Sequence, residues 1–263
     1  MKLSISNIGW DGLYDEKVYK LMNKYGFKGL EIAPTRIFTS DPYDRLEEAS
    51  GWIDNLGNEY GFEVPSMQSI WFGHVESLFG TEEERQCLLD YTKKAILFAK
   101  TIGCKNLVFG CPRNRNVPEG RDGAELDGFF KEIADFALEN NTVIGMEANP
   151  PIYNTNFVND TKSALDLIYR VDSDGFKLNL DVGTMIHNEE DVDELVGKVH
   201  LINHVHISEP FLKPVKERQL HSKLKQVLEN ESYNGYVSIE MGKVENLKDI
   251  EAVMKYVVEV FGK

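Results

Sequence analysis

Glu147, Asp181, His206 and Glu240 each close a short apolar run. The runs are Thr142-Val143-Ile144-Gly145-Met146-Glu147, Lys177-Leu178-Asn179-Leu180-Asp181, Asn203-His204-Val205-His206 and Tyr236-Val237-Ser238-Ile239-Glu240. Short aliphatic, β-branched stretches bounded by polar or proline-containing segments read as buried strands that deliver their last side chain to the C-terminal end. Three carboxylates and one imidazole converging there make a ligand set for one divalent cation. Carboxylate oxygen suits Mg²⁺ or Mn²⁺, and the imidazole extends the range to Co²⁺, Fe²⁺ or Zn²⁺. Unpaired, the carboxylates would repel one another and rise in pKa, a conflict that a cation removes.

The elements needed to position these side chains are written along the whole chain. Strands are expected at 2–6, 29–32, 66–70, 106–110, 142–147, 177–181, 201–207 and 235–240. Helical patterns fall between them near 14–25, 43–60, from 81, 124–140, 161–171, briefly at 192, 217–229 and 247–261. Thr81 and Glu84 have the spacing of a capping box, and Asp160 stands where an N-cap belongs. Eight strand–helix units without hairpin signals imply parallel pairing, closed most economically as a single (β/α)8 TIM barrel spanning residues 1–263. An open doubly wound sheet would carry a glycine-rich phosphate turn after its first strand. Ser6-Asn7-Ile8-Gly9-Trp10 offers no GxGxxG.

Alternation along the strands gives a direction to each side chain. Glu147, Asp181, His206 and Glu240 share a face with Gly145, Asn179, His204 and Ser238, while Ile144, Met146, Leu178, Leu180, Val205, Ile207, Val237 and Ile239 take the other. The apolar set must meet the helices, so the polar set points to the barrel axis. Its last members reach the C-terminal rim, where the active sites of such barrels lie. By the same parity Glu31 points inward from the second strand.

Lys and Arg total 29 against 43 Asp and Glu, a formal charge of -14. That balance disfavours a nucleic-acid partner and fits an outer ring of solvated helices. Cys87, Cys104 and Cys111 are odd in number and lack CxxC spacing, which implies reduced thiols rather than disulfides or a zinc knuckle. The chain opens directly into a strand pattern and has no run of membrane-spanning length, so a cytoplasmic protein with no membrane partner is expected.

Gly145-Met146-Glu147-Ala148-Asn149-Pro150, Leu180-Asp181-Val182-Gly183-Thr184, His204-Val205-His206-Ile207-Ser208 and Ser238-Ile239-Glu240-Met241 together resemble the xylose-isomerase-like barrels. That family holds sugar and sugar-phosphate isomerases and epimerases, dehydratases and apurinic endonucleases. In its ketose 3-epimerases the matching glutamate, aspartate, histidine and glutamate bind one divalent metal, and the two glutamates exchange protons with substrate. The resemblance therefore implies a metal shell of Glu147, Asp181, His206 and Glu240, with Glu147 and Glu240 also catalytic.

The substrate clamp departs from the epimerase pattern. A histidine three positions after the aspartate, a glutamate six after the first glutamate and an arginine six after the histidine are here Thr184, Tyr153 and Leu212. His187 and Arg218 are candidate replacements. Thr184 and Phe109-Gly110 also remove ligands that a three-metal nuclease needs. Arg113 and Arg115, just after the fourth strand, place guanidiniums where they would clamp an anion. Gln68 and Glu31 complete the polar lining. Rim aromatics such as Trp71, Phe72, Tyr153 and Phe211 suit either a sugar's C–H face or a contact between copies in a homo-oligomer.

The expected activity is thus metal-dependent isomerisation or epimerisation of a sugar, sugar phosphate or cyclitol through a cis-enediolate, with Mn, Mg, Co or Zn as cofactor. A polyol or cyclitol dehydratase is the alternative within the fold. A sugar-binding barrel without turnover is the alternative from another class.

Overall fold

The computed structural model describes residues 1–262. Seven parallel strands, β1 (Lys2–Ser6), β2 (Gly29–Glu31), β3 (Leu107–Phe109), β4 (Ile144–Glu147), β5 (Phe176–Asp181), β6 (Ile202–Ile207) and β7 (Tyr236–Ile239), form a curled sheet in the order β2-β1-β7-β6-β5-β4-β3. The unit expected at 66–70 is present but interrupted. Glu63 bridges Gly29, and Met67 bridges both Ile32 and Leu107, which joins the two sheet edges. Met67 N donates to Asn106 O at 2.9 Å and Gln68 N to Ile32 O at 2.8 Å. Pro65 lies between these bridges and has no N–H to give, so the ladder cannot run unbroken. The result is the expected (β/α)8 barrel with one broken stave.

Helices α1 (Asp15–Tyr25), α2 (Pro34–Ile37), α3 (Leu46–Tyr60), α4 (Glu82–Ile102), α5 (Asp127–Glu139), α6 (Thr161–Val171), α7 (Val182–Asn188), α8 (Gln219–Asn230) and α9 (Leu247–Phe261) alternate with the strands. The signals that start them act locally. Thr81 and Glu84 form the capping box of α4, and the Asp160 carboxylate accepts from Ser163 N at 2.6 Å to open α6. Two readings need correction. The helix expected at 192 is only a 3-10 turn, Val192–Leu195, whereas 182–188, where no helix is expected, is helix α7 with Asp181 as its cap. Among the described residues no helix is long and apolar enough to cross a membrane.

Parity sorts the strands as required. Ile144, Met146, Leu178, Leu180, Val205, Ile207, Val237 and Ile239 are all at most 1% exposed and belong to the apolar core. Removing such a side chain from water contributes about 1.5–3 kcal/mol. The axis carries Ser4, Glu31, Ser66, Asn106, Asn179, His204, His206 and Ser238, all buried. Some of these groups pair with each other: Asn106 Nδ2 donates to Ser66 Oγ at 3.0 Å and to Asn179 Oδ1 at 3.1 Å, whereas Ser4 Oγ, His204 Nε2 and Ser238 Oγ have no hydrogen-bond partner among the described residues. A Cβ on Gly145 would stand 2.4 Å from Asn106 Oδ1, so this layer requires glycine there.

One irregularity decides where the histidines point. Leu178 pairs with Ile202, but Asn179 pairs with His204, so Asn203 is an extra residue in β6. Such a bulge reverses parity. It turns His204 and His206 inward beside Asn179 and Asp181.

Candidate metal centre and cavity

Glu147 ends β4, Asp181 ends β5, His206 is the penultimate residue of β6 and Glu240 follows β7. One ligand atom from each lies within 4.8 Å of the other three. His206 Nδ1 is 3.0 Å from Glu147 Oε1 and 3.3 Å from Glu240 Oε2. Its Nε2 faces away, 2.9 Å from Glu31 Oε2. With Nε2 carrying the proton to Glu31, Nδ1 offers its lone pair to the cluster; a carboxylate behind the imidazole is the usual support of a metal-binding histidine. His204 brings its Nε2 to 2.9 Å of the same Glu31 oxygen but off the hydrogen-bonding angle.

The remaining candidate ligands are held as firmly. Glu147 accepts from Asn179 Nδ2 at 2.8 Å and from Asn149 Nδ2 at 3.1 Å, one donor on each oxygen. Arg115 Nη2 fixes that second amide by donating to Asn149 Oδ1 at 2.7 Å and also donates to Glu147 O at 3.1 Å. Asp181 accepts from Ser208 Oγ and Thr184 N, both at 2.5 Å. Gln68, with its amide nitrogen toward the carboxylates, donates to Glu240 Oε1 at 2.6 Å and Glu31 Oε1 at 3.1 Å. Gly110 keeps the space open, since a Cβ there would meet Glu147 Oε2 at 2.8 Å.

The electrostatics describe a site that wants positive charge. Burial and the Glu147 charge push Asp181 up to about 6. Burial also pushes Glu240 up to about 7, with Glu147 and Asp181 adding to the rise and His206 opposing it. Burial lowers His206, but Glu240 and Glu31 outweigh it and leave the imidazole well above its ordinary value. For Glu31, burial raises the carboxyl, yet His206 and His204 hold it below the usual carboxylate range. Three carboxylates and one correctly oriented imidazole fit a hard or borderline divalent cation. Glu147, Asp181, His206 and Glu240 are the residues that would hold it.

Glu147, Asp181 and Glu240 also line a cavity of about 760 Å³, a size suited to a small organic ligand. Trp71, Phe72, Tyr153 and Leu212 give it apolar wall, and Gln68 and Arg113 give it polar wall. The other expected contacts are placed differently. Arg115 is fully buried and turns beneath Glu147 rather than into the cavity, because Cys111 takes a left-handed φ of 44° and the following 3-10 turn, Pro112–Asn114, redirects the chain. Burial lowers its guanidinium to about 10. Arg218 is engaged by Glu209 through contacts of 2.7 and 2.5 Å. His187 is exposed on the last turn of α7, outside the cavity lining. Glu31 is completely buried behind His206 and is not part of the lining. The Tyr153 hydroxyl accepts from Phe211 N at 2.8 Å at the cavity edge.

Asn149, Asn179 and Ser208 were not assigned roles from the sequence, although each stands two residues from a ligand. Period-two alternation puts such residues on the ligand's own side, and that signal was available.

Comparisons with solved structures agree with this architecture. A D-psicose 3-epimerase determined in the presence of D-fructose superposes with TM-score 0.77 at 15% identity over 100% of both chains. The 3-keto-D-glucoside 4-epimerase from E. coli, in apo form, gives 0.74 at 20% identity, again over 100% of both. A probable 3-DHS dehydratase from Bacillus anthracis gives 0.70 at 18% identity over 98% of this chain and 99% of the other. At these identities the likeness establishes the fold. Among curated proteins, none matches. The model of the xylose isomerase-like TIM barrel matches residues 19–260, nearly the full length, and the chain belongs to that family.

Proposed function

We propose that this protein is a divalent-metal-dependent isomerase or epimerase of a sugar, sugar phosphate or cyclitol. The observation that carries the reading is that Glu147, Asp181 and Glu240, clustered around the buried His206, line a cavity large enough for a polyol. When bound, a cation in this ligand set supplies a Lewis acid for neighbouring oxygens of the substrate and offsets the negative charge of an enediolate. Glu147 is the base that removes the proton from the carbon beside the carbonyl. Its two amide donors, Asn179 and Asn149, fix both oxygens. Glu240, on the other side of His206, is the acid that returns a proton to the opposite face, with Gln68 setting its orientation. Arg113 at the cavity wall is the contact for an anionic group on the substrate.

Turnover of a candidate ketose with Mn²⁺ in D₂O tests the reading. Deuterium is expected at the exchanging carbon, with loss of both label and turnover in Glu147→Gln and Glu240→Gln. Turnover without label would exclude the proton-exchange route.

A dehydratase is the second reading, favoured by Tyr153. Its phenol stands in the cavity lining and retains its proton, burial pushing it up to about 12. The hydroxyl accepts from Phe211 N and so keeps its own proton free to donate to a departing hydroxyl. Product mass separates the two, because dehydration removes one water and epimerisation leaves the mass unchanged. Metal-independent sugar binding without solvent exchange would instead point to a non-catalytic barrel.

A further inference from the structure

A second group of metal-capable side chains lies outside the barrel axis. His74 and Glu76 come from the loop preceding α4, and Cys87 comes from the second turn of α4. One ligand atom from each lies within 4.8 Å of the other two. His74 Nδ1 is 2.9 Å from Glu76 Oε2, and the Cys87 thiol donates to Glu76 Oε1 at 3.4 Å. Ligands at zinc-type bond lengths on a tetrahedron stand roughly 3.3–3.8 Å apart, so small side-chain adjustments suffice to surround one ion.

The backbone and rotamers are arranged in advance. Asn114 Nδ2 donates to His74 O at 3.1 Å and to Glu76 O at 2.8 Å, which pins the loop on either side of Val75. The His74 ring packs on Tyr91 with centroids 4.0 Å apart, and Tyr91 lies one helical turn beyond Cys87. Thus the element that presents the sulfur also fixes the imidazole. All three side chains are accessible to solvent, so an ion can reach them. The spacing, one residue between His74 and Glu76 and then a loop and a helix start before Cys87, has none of the regularity of a zinc knuckle.

We propose that His74, Glu76 and Cys87 form a second cation site, of zinc class, with its fourth position open to water. One nitrogen, one oxygen and one sulfur donor match zinc, and the sulfur discriminates against Mg²⁺ and Ca²⁺. Binding replaces the thiol proton of Cys87, which leaves to solvent as the S–metal bond forms. Because His74 also lines the cavity, occupancy ties that wall to α4.

Co²⁺ titrated into the full-length protein tests the site independently of turnover. The Glu147, Asp181, His206 and Glu240 set contains no sulfur, so a near-ultraviolet sulfur-to-cobalt charge-transfer band reports the second site alone. The expected result is a band that saturates at one ion per chain, disappears in Cys87→Ser and persists in Cys111→Ser. His74→Ala should weaken the affinity read from the band by about 10- to 100-fold or more, since loss of an outer-shell partner alone has that effect. No band, a band lost in Cys111→Ser, or a band unchanged in His74→Ala, which would mean simple binding to an exposed thiol, each overturns the proposal.

Discussion

The two halves of the barrel are built differently. Strands β4 to β7 span four to six residues each and pair along their length with one bulge at Asn203, and the four cluster side chains stand at or beside their ends. Across the barrel, β2 and β3 have three residues each, and the stave between them is broken at Pro65. That irregular half contributes no member of the cluster, yet it supplies supports that reach it from outside β4 to β7, beside the nearby Asn149, Asn179 and Ser208: Glu31 behind His206, Gln68 on Glu240 and Arg115 beneath Glu147. Placing ligands needs a fixed register, which long ladders give. Orienting them needs side chains that reach across the axis, which a short strand can present.

Substitutions can test this division of labour. On the regular half, Glu147→Gln or Glu240→Gln, assayed at saturating Mn²⁺, should lower kcat by about 10²–10⁴, the range for general acid–base groups. A fall of only a few-fold at either position would remove it from the proton-transfer role. On the irregular half, Arg115→Ala should cost about 2–4 kcal/mol of stability by chemical denaturation, since it strands two acceptors in a fully buried position. Arg113→Ala should leave stability unchanged and raise KM for an anionic substrate only. Equal stability losses in both arginine variants would erase the distinction between them.

The pH response of metal-free protein follows from the regular half. Asp181 and Glu240 titrate in the fold at about 6 and about 7, above ordinary values of 3.8 and 4.5. A carboxyl with a raised folded pKa contributes stability that is complete below its ordinary pKa and is lost as pH rises through the folded one. Stability should therefore fall between about pH 4 and pH 7, by about 3 kcal/mol for each carboxyl, and an excess of Mn²⁺ should restore it. A flat thermal-melting profile over that window would contradict the buried-carboxylate description.

Smaller effects are expected from the supports. Glu31→Gln keeps the shape but removes the acceptor charge behind His206, and metal affinity measured by calorimetry should weaken by about 10–100-fold. Pro65→Ala should change stability by about 1 kcal/mol or less and leave metal affinity alone. A large loss of affinity in the proline variant would show that the broken stave matters to the cluster directly.

Much of this was legible because alternation is a local property. Once Ile144 and Met146 must face helices, Glu147 has only the axis left, and the same reasoning reaches Asp181 and Glu240. His206 was assigned to the correct side, but the cause lies partly in the bulge at Asn203, which depends on how β6 pairs with β5. The rim residues were less legible. Arg115 was expected beside Arg113, and one left-handed residue at Cys111 is enough to send its side chain beneath the floor. The sequence pattern marks no helix over the segment that carries His187. Capping by Asp181 makes the segment helical, and six residues along a helix is well off the starting face.

The contact between Glu31 and His206 joins residues 175 positions apart in the chain. A fragment running from β4 to Glu240 would contain all four cluster residues but not Glu31, which faces the Nε2 of His206. Competence to take up a cation should consequently appear late in folding, when the first and last parts of the chain meet. The rate of metal uptake during refolding should then serve as a clock for closure of the barrel.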